Sequence, residues 1–116
     1  MMSVTTIGRR SGQERTVILA FLEDGPNLVT LAMNGWGEGE PAWWLNLMAN
    51  PTAEVKTPSR QFTAVAHAAE GAERDRLWDL WRDLDDDLDA FAAKRSTETA
   101  VVVLAPAGSD HSAAGD

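Results

Sequence analysis

Three apolar, β-branched segments open the chain with only short turns between them: SVTTIGR at 3–9, RTVILAFL at 15–22 and LVTLAM at 28–33. Connections this short leave no room for a crossover helix, so the segments can pair only antiparallel. Arg10, Ser11, Gly12 and Gln13 form the first turn, with Gly12 free to take positive φ. Residues 23–27 (EDGPN) form the second. The spacing predicts an antiparallel meander. The unbroken apolar run of 15–22 predicts a strand buried on both faces.

Residues 34–40 (NGWGEGE) read as a glycine loop. Pro41 suits the first turn of a helix, where its missing N–H is no loss. Trp43, Trp44, Leu45, Leu47 and Met48 follow in that helix, which Asn50 and Pro51 end. TAEVKT at 52–57 and RQFTAVAHA at 60–68 alternate as strands. A helix is predicted over 72–84, with Leu77, Trp78, Trp81 and Leu84 on one face. A second over 86–94 continues the stripe with Leu88 and Phe91, and VVVLAP at 101–106 reads as a buried strand. Strands that follow one another without helices argue against a Rossmann sheet and for a small closed or split barrel flanked by helices. The small, polar residues 107–116 are expected to form a disordered tail.

A chain of 116 residues suits one domain. No apolar run approaches the roughly 18 residues that span a bilayer. The N-terminus shows no signal-peptide pattern, which points to the cytoplasm. With no cysteine, disulfides and thiolate sites are excluded. The formal net charge is −8, most of it carried beyond residue 68, so a polyanion such as nucleic acid is not an expected partner.

Against that background Arg9, Arg10 and Arg15 stand close together in TIGRRSGQER, with Glu14 as the one local acid. Guanidinium groups, the Ser11 hydroxyl, the bare Gly12 backbone and the Gln13 amide are what a phosphate or carboxylate needs. The plainer reading is a solvated hairpin whose arginines protect a sheet edge. In NGWGEGEPAWWLNL, Trp36 and Trp43 or Trp44 could stack on a ring system and Asn46 could bond its edge, or the helical tryptophans are core. Asp85, Asp86, Asp87 and Asp89 read as a solvated face or helix cap, because their spacing is not that of a calcium loop. His67 alone makes no zinc site, no nucleophile–histidine–carboxylate set can be assembled, and no metal is expected.

The order GRRSGQER, glycine loop, PAWWLNLMANPTAEV and late VVVLAP resembles the deazaflavin-dependent nitroreductase and quinone reductase family, from about Thr5 to Pro106. The resemblance implies a mainly β (α+β) fold: a split β-barrel of about six mostly antiparallel strands with two or three flanking helices. It implies a deazaflavin-binding domain over 1–106, coenzyme F-420 as cofactor, and hydride transfer from its reduced form to a quinone, nitroaromatic or activated alkene. A coenzyme-binding module without efficient turnover and an FMN-dependent oxidoreductase on the same barrel are the alternatives. The resemblance assigns Arg9, Arg10, Ser11, Gly12, Gln13 and Arg15 to the anionic tail of the coenzyme. Asn34, Gly35, Trp36, Pro41, Trp43 and Asn46 fall beside it, with Trp43 near the ring. The chain lacks tyrosine; Asp85, Leu88 and Phe91 stand where the family has acceptor-pocket tyrosines, and no catalytic residue is assigned. The expected partner is a small-molecule electron acceptor and the expected assembly a monomer or homodimer. Contact with a membrane has only Trp36 to suggest it.

Overall fold

The computed structural model describes residues 1–33, 39–96 and 98–107. In chain order the elements are β1 (Met2–Ile7), β2 (Glu14–Leu19), β3 (Leu22–Asp24), β4 (Asn27–Ala32), α1 (Ala42–Ala49), β5 (Thr52–Lys56), β6 (Gln61–Ala68), α2 (Gly71–Leu84), α3 (Leu88–Ala92) and β7 (Ala100–Pro106). The strands form a seven-stranded antiparallel sheet in the order β2-β1-β5-β6-β7-β4-β3. Its two outermost strands, β2 and β3, are consecutive in the chain and separated only by Ala20 and Phe21. Three Cα steps reach at most about 11 Å. A seven-stranded sheet whose outer strands lie that close must curl until its edges nearly meet, which gives a split barrel.

That topology corrects two expectations. The leading segments form no meander: β1 pairs with β2 and β3 with β4, but β5, β6 and β7 lie between the two hairpins. The 15–22 run is no buried strand either. It breaks at Ala20–Phe21, and β2 is an edge strand on which Ile18 is 60% exposed. An apolar run resembles a doubly buried strand whether or not something covers its second face.

The strands buried on both faces are β4 and β7. Side chains alternate across a sheet. Leu28 and Ala32 of β4, with Val102 and Leu104 of β7, join Met2, Val4, Val55 and Trp44 inside the barrel. Val29 and Leu31, with Val101 and Val103, point outward and pack under Leu77 and Leu88. The helical stripe comprises Leu77, Trp78 and Trp81. Leu84 does not belong to it: it is the last residue of α2 and 67% exposed, and Leu88 of α3 takes the buried place instead. The second helix is shorter than predicted, at Leu88–Ala92. The stretch expected to be a disordered tail lies, from residue 108 onward, outside the described residues.

Surface carboxylates fasten α2 to its neighbours. Asp24 of the β3–β4 hairpin accepts two hydrogen bonds from the Arg76 guanidinium, both 3.0 Å. Asp89 of α3 accepts from Arg82 Nε at 2.7 Å and Trp78 Nε1 at 2.8 Å. Hydrogen bonds from Arg76 hold the Asp24 carboxyl below its ordinary range, and those from Arg82 and then Trp78 do the same for Asp89.

Two outcomes follow. Leu77→Ala empties a site at 0% exposure and should cost about 2–5 kcal/mol in urea unfolding, whereas Leu84→Ala should change stability by less than about 0.5 kcal/mol. Because both carboxylates ionise at lower pH folded than unfolded, their stabilisation is complete above the unfolded value of about 4 and is lost as the pH falls through the lower folded values. Asp24→Asn should therefore reduce the fall in Tm between about pH 5 and pH 2.5.

Candidate functional site

The β1–β2 connection is a closed six-residue loop. The Gly8 amide donates to the Gln13 carbonyl at 2.7 Å, and the Gly12 amide to the Gly8 carbonyl at 2.9 Å. Gly12 takes φ +72, the left-handed region that the turn requires. Gly8 is needed for a different reason. A Cβ there would lie 2.8 Å from Ser11 Oγ and 3.2 Å from the Gln13 carbonyl oxygen. Ser11 Oγ accepts the Gln13 amide at 3.2 Å, which leaves its own proton to donate elsewhere.

Asn46 of α1 holds this loop against the barrel. Its Oδ1 accepts both the Arg9 backbone amide, at 3.1 Å, and Arg9 Nη1, at 3.0 Å. Its Nδ2 donates to Thr6 Oγ1 on β1 at 3.2 Å. The side chain is 4% exposed, so both ends of the amide are engaged within the protein. Asparagine suits the place because it presents an acceptor and a donor at one point. Asn46 shares the buried face of α1 with Trp43 and Leu47, as spacings of three and four residues require.

Loop and helix frame a cavity of about 810 Å³. Gly8, Arg9, Arg10, Ser11 and Arg15 form its polar wall. Val17, Leu19, Met33, Pro41 and Trp43 form its apolar wall, with Asn46 at the base. Arg15 faces inward because it shares the inner row of β2 with Val17 and Leu19, opposite Thr6, Val4 and Met2 of β1. Trp43 and Trp44 diverge as adjacent helical residues must: Trp43 reaches the cavity, and Trp44 meets it edge-on in the core, with ring centroids 6.4 Å apart. Pro41 is the N-cap, one place before the helix proper, and its carbonyl accepts the amides of Trp44 and Leu45.

Seven of the sequence-derived candidates thus meet at one cavity: Arg9, Arg10, Ser11, Arg15, Pro41, Trp43 and Asn46. Gly12 and Gln13 shape the loop but do not line the cavity. Asn34, Gly35 and Trp36 lie outside the described residues. Asp85, Leu88 and Phe91 do not line it either, and Leu88 is buried under α2. Sequence reasoning missed Val17, Leu19 and Met33, although the period-two row Arg15, Val17, Leu19 was available as a signal.

Among the described residues none of the three wall arginines makes an ion pair, and Arg9 has only a neutral amide as partner. The described wall holds no Asp, Glu, His, Lys, Tyr or Cys. Cations beside an apolar surface suit an anion joined to a flat apolar body, and among the described residues the wall offers no general acid or base.

Residues 1–106 match the sequence model of a family described as F420H(2)-dependent quinone reductase. A quinone reductase of that description from Mycobacterium tuberculosis is 31% identical over 77 residues, which are 65% of this chain and 52% of that protein. The chain therefore spans about half the length of the curated relatives it matches. The solved structure of an F420-H2 dependent reductase superposes with a TM-score of 0.79 at 27% identity, covering 89% of this chain and 91% of the other. A chain described as a domain-swapped dimer superposes with a TM-score of 0.80 at 27% identity, covering 89% and 78%. Among the described residues no helix is long and apolar enough to cross a membrane.

Asn46→Ala leaves Arg9 and Thr6 without their buried partner and should cost about 1–3 kcal/mol. Amide exchange in residues 8–13 should accelerate more than in β5 or β6, which hydrogen–deuterium exchange resolves.

Proposed function

The chain belongs to the F420H(2)-dependent quinone reductase family, and on that premise we propose that it is a reductase that binds the deazaflavin coenzyme F-420 over residues 1–106. One observation carries the reading: three guanidinium groups without an ion-pair partner among the described residues share a cavity with an indole wall. The residues present fit the coenzyme, because its charged tail and its flat tricyclic head need opposite chemistries in one cavity. Held there by Arg10, Arg15, Ser11 and Trp43, the reduced deazaflavin would supply hydride chemistry toward an electron-poor acceptor such as a quinone.

The protein's share is placement. Arg10 and Arg15 donate to the anionic tail with the Ser11 hydroxyl, while Arg9, braced by Asn46, keeps the loop at the rim. Trp43, Met33 and Leu19 give the ring a dry, apolar face and exclude water from one side of it. Gly12 and Gln13 act through the loop geometry. Asn34, Gly35 and Trp36 are assigned beside the coenzyme by the family resemblance alone. No carboxylate, imidazole, amine or phenol stands in the described wall, so water or an unassigned group would provide the accompanying proton. Alignment of the reactants at roughly 3–3.5 Å is then the main source of rate.

Titration of oxidised deazaflavin into the purified protein should quench its fluorescence, and a quinone should oxidise the reduced coenzyme catalytically. Quenching without turnover would reduce the protein to a coenzyme-binding module. A yellow protein that releases FMN on denaturation would overturn the cofactor. Arg10→Ala removes a charge-assisted contact of about 1.5–3 kcal/mol and should raise the coenzyme Kd about 10- to 150-fold, with kcat at saturation changed less than about twofold. Loss of kcat at unchanged Kd would contradict the assignment.

A further inference from the structure

Arg95 follows α3 in a polar stretch, AAKRS, yet its side chain is 0% exposed. Among the described residues its guanidinium reaches three separate parts of the chain. Nη1 donates to the carbonyl of Ala32, the last residue of β4, at 3.2 Å and to Thr99 Oγ1, just before β7, at 2.7 Å. Nη2 donates to the Gly39 carbonyl at 2.8 Å, with Glu40 Oε1 at 3.5 Å. Each of these acceptors on β4 and before α1 adjoins the cavity: Met33 follows Ala32, and Pro41 follows Glu40.

Among the described residues, the start of the helix that Pro41 caps is fixed by the packing of Trp43 and Trp44 and by few hydrogen bonds. α1 is only eight residues long, its N-cap makes no side-chain hydrogen bond, and no acidic residue stands in its first turn. A helix this short has almost no stability of its own, so tertiary contacts decide where it lies. Asn46 ties its second half to Arg9 and Thr6. Arg95 ties the residues that lead into its first turn to the ends of β4 and β7. A planar guanidinium spreads five donors over three nitrogens in a fixed fork, whereas an ammonium group offers three from a single nitrogen.

We propose that Arg95 is a positioning residue for the cavity: by bridging Ala32, Thr99 and Gly39 it sets the place of Pro41 and Trp43, and so of the wall on which the coenzyme ring rests. This rests on the reading of the cavity as the coenzyme site. Arg95 touches neither coenzyme nor acceptor; it acts through the start of α1.

The test compares wild type, Arg95→Met and Arg95→Lys by hydrogen–deuterium exchange without ligand, and by titration of oxidised deazaflavin. In Arg95→Met the Trp44 and Leu45 amides, which donate to the Pro41 carbonyl, should exchange at least about tenfold faster, while amides of β5 and β6 stay within about threefold. The coenzyme Kd and the KM for reduced coenzyme should rise at least about fivefold, with kcat at saturation much less affected. Arg95→Lys should lie between, and millimolar guanidinium ion should partly restore Arg95→Met where equal sodium does not. If Arg95→Met does not fold, Arg95→Lys carries the same comparison. Uniform acceleration across the sheet, unchanged α1 amides, or loosened α1 amides with wild-type coenzyme affinity would each overturn the proposal. Wild-type protein that fails to quench deazaflavin fluorescence would instead overturn the reading of the cavity, and the ligand-free exchange data would still decide whether Arg95 places α1.

Discussion

Ala20 and Phe21 impose the constraint on which the rest depends. They join the two outermost strands of a seven-stranded sheet, so the sheet has to roll up. β2 and β3 are not paired with each other, and the barrel stays split along that seam. The inner row of β2 therefore faces a space instead of packed core along part of its length, and Arg15, Val17 and Leu19 line it. A sheet closed by hydrogen bonds there would leave less room for a ligand beside the arginine loop.

The site joins two opposite chemistries in one cavity. On one side, charge is concentrated with no ion-paired carboxylate among the described residues, inside a protein whose formal net charge is −8. Acidic residues are instead used on the far side, where Asp24 and Asp89 secure α2 to the hairpin and to α3. On the other side, α1 supplies Trp43. Both walls meet in the Asn46 side chain, which bonds the arginine loop through Arg9 and the barrel through Thr6. Displacing α1 would thus move Trp43 and the arginine loop together, and two buried polar side chains, Asn46 within this eight-residue helix and Arg95 through Gly39 ahead of it, bond it to its neighbours.

Much of this was legible in the residues, for physical reasons. Strand periodicity, Gly12 in the turn and Pro51 after the helix located nearly every element. The arginines stood out because they oppose the overall charge. What failed shares a cause: local pattern does not report what lies on the far side of a residue. Ile18 looks like core, but on the edge strand β2 it is exposed. Val17 and Leu19 pack against the core and also line the cavity, and alternation alone does not report that second role. Arg95 looks solvated, since its acceptors are the carbonyls of Ala32 and Gly39, and backbone carbonyls carry no residue-type signature. Leu84 lay on the predicted apolar face, yet the helix ends there with nothing above it.

If the cavity holds the coenzyme, one molecule touches the arginine loop and the Trp43 indole at the same time. Two-dimensional ¹H–¹⁵N spectra of the arginine Nε–H and tryptophan Nε1–H groups, recorded through a titration with oxidised coenzyme F-420, test it most directly. The account predicts that the signals of Arg10, Arg15 and Trp43 shift together along one binding curve, while Trp78 and Trp81 under the other face stay in place. Shifts confined to the α2–α3 side, or movement of the arginine signals with the Trp43 indole unchanged, would contradict it.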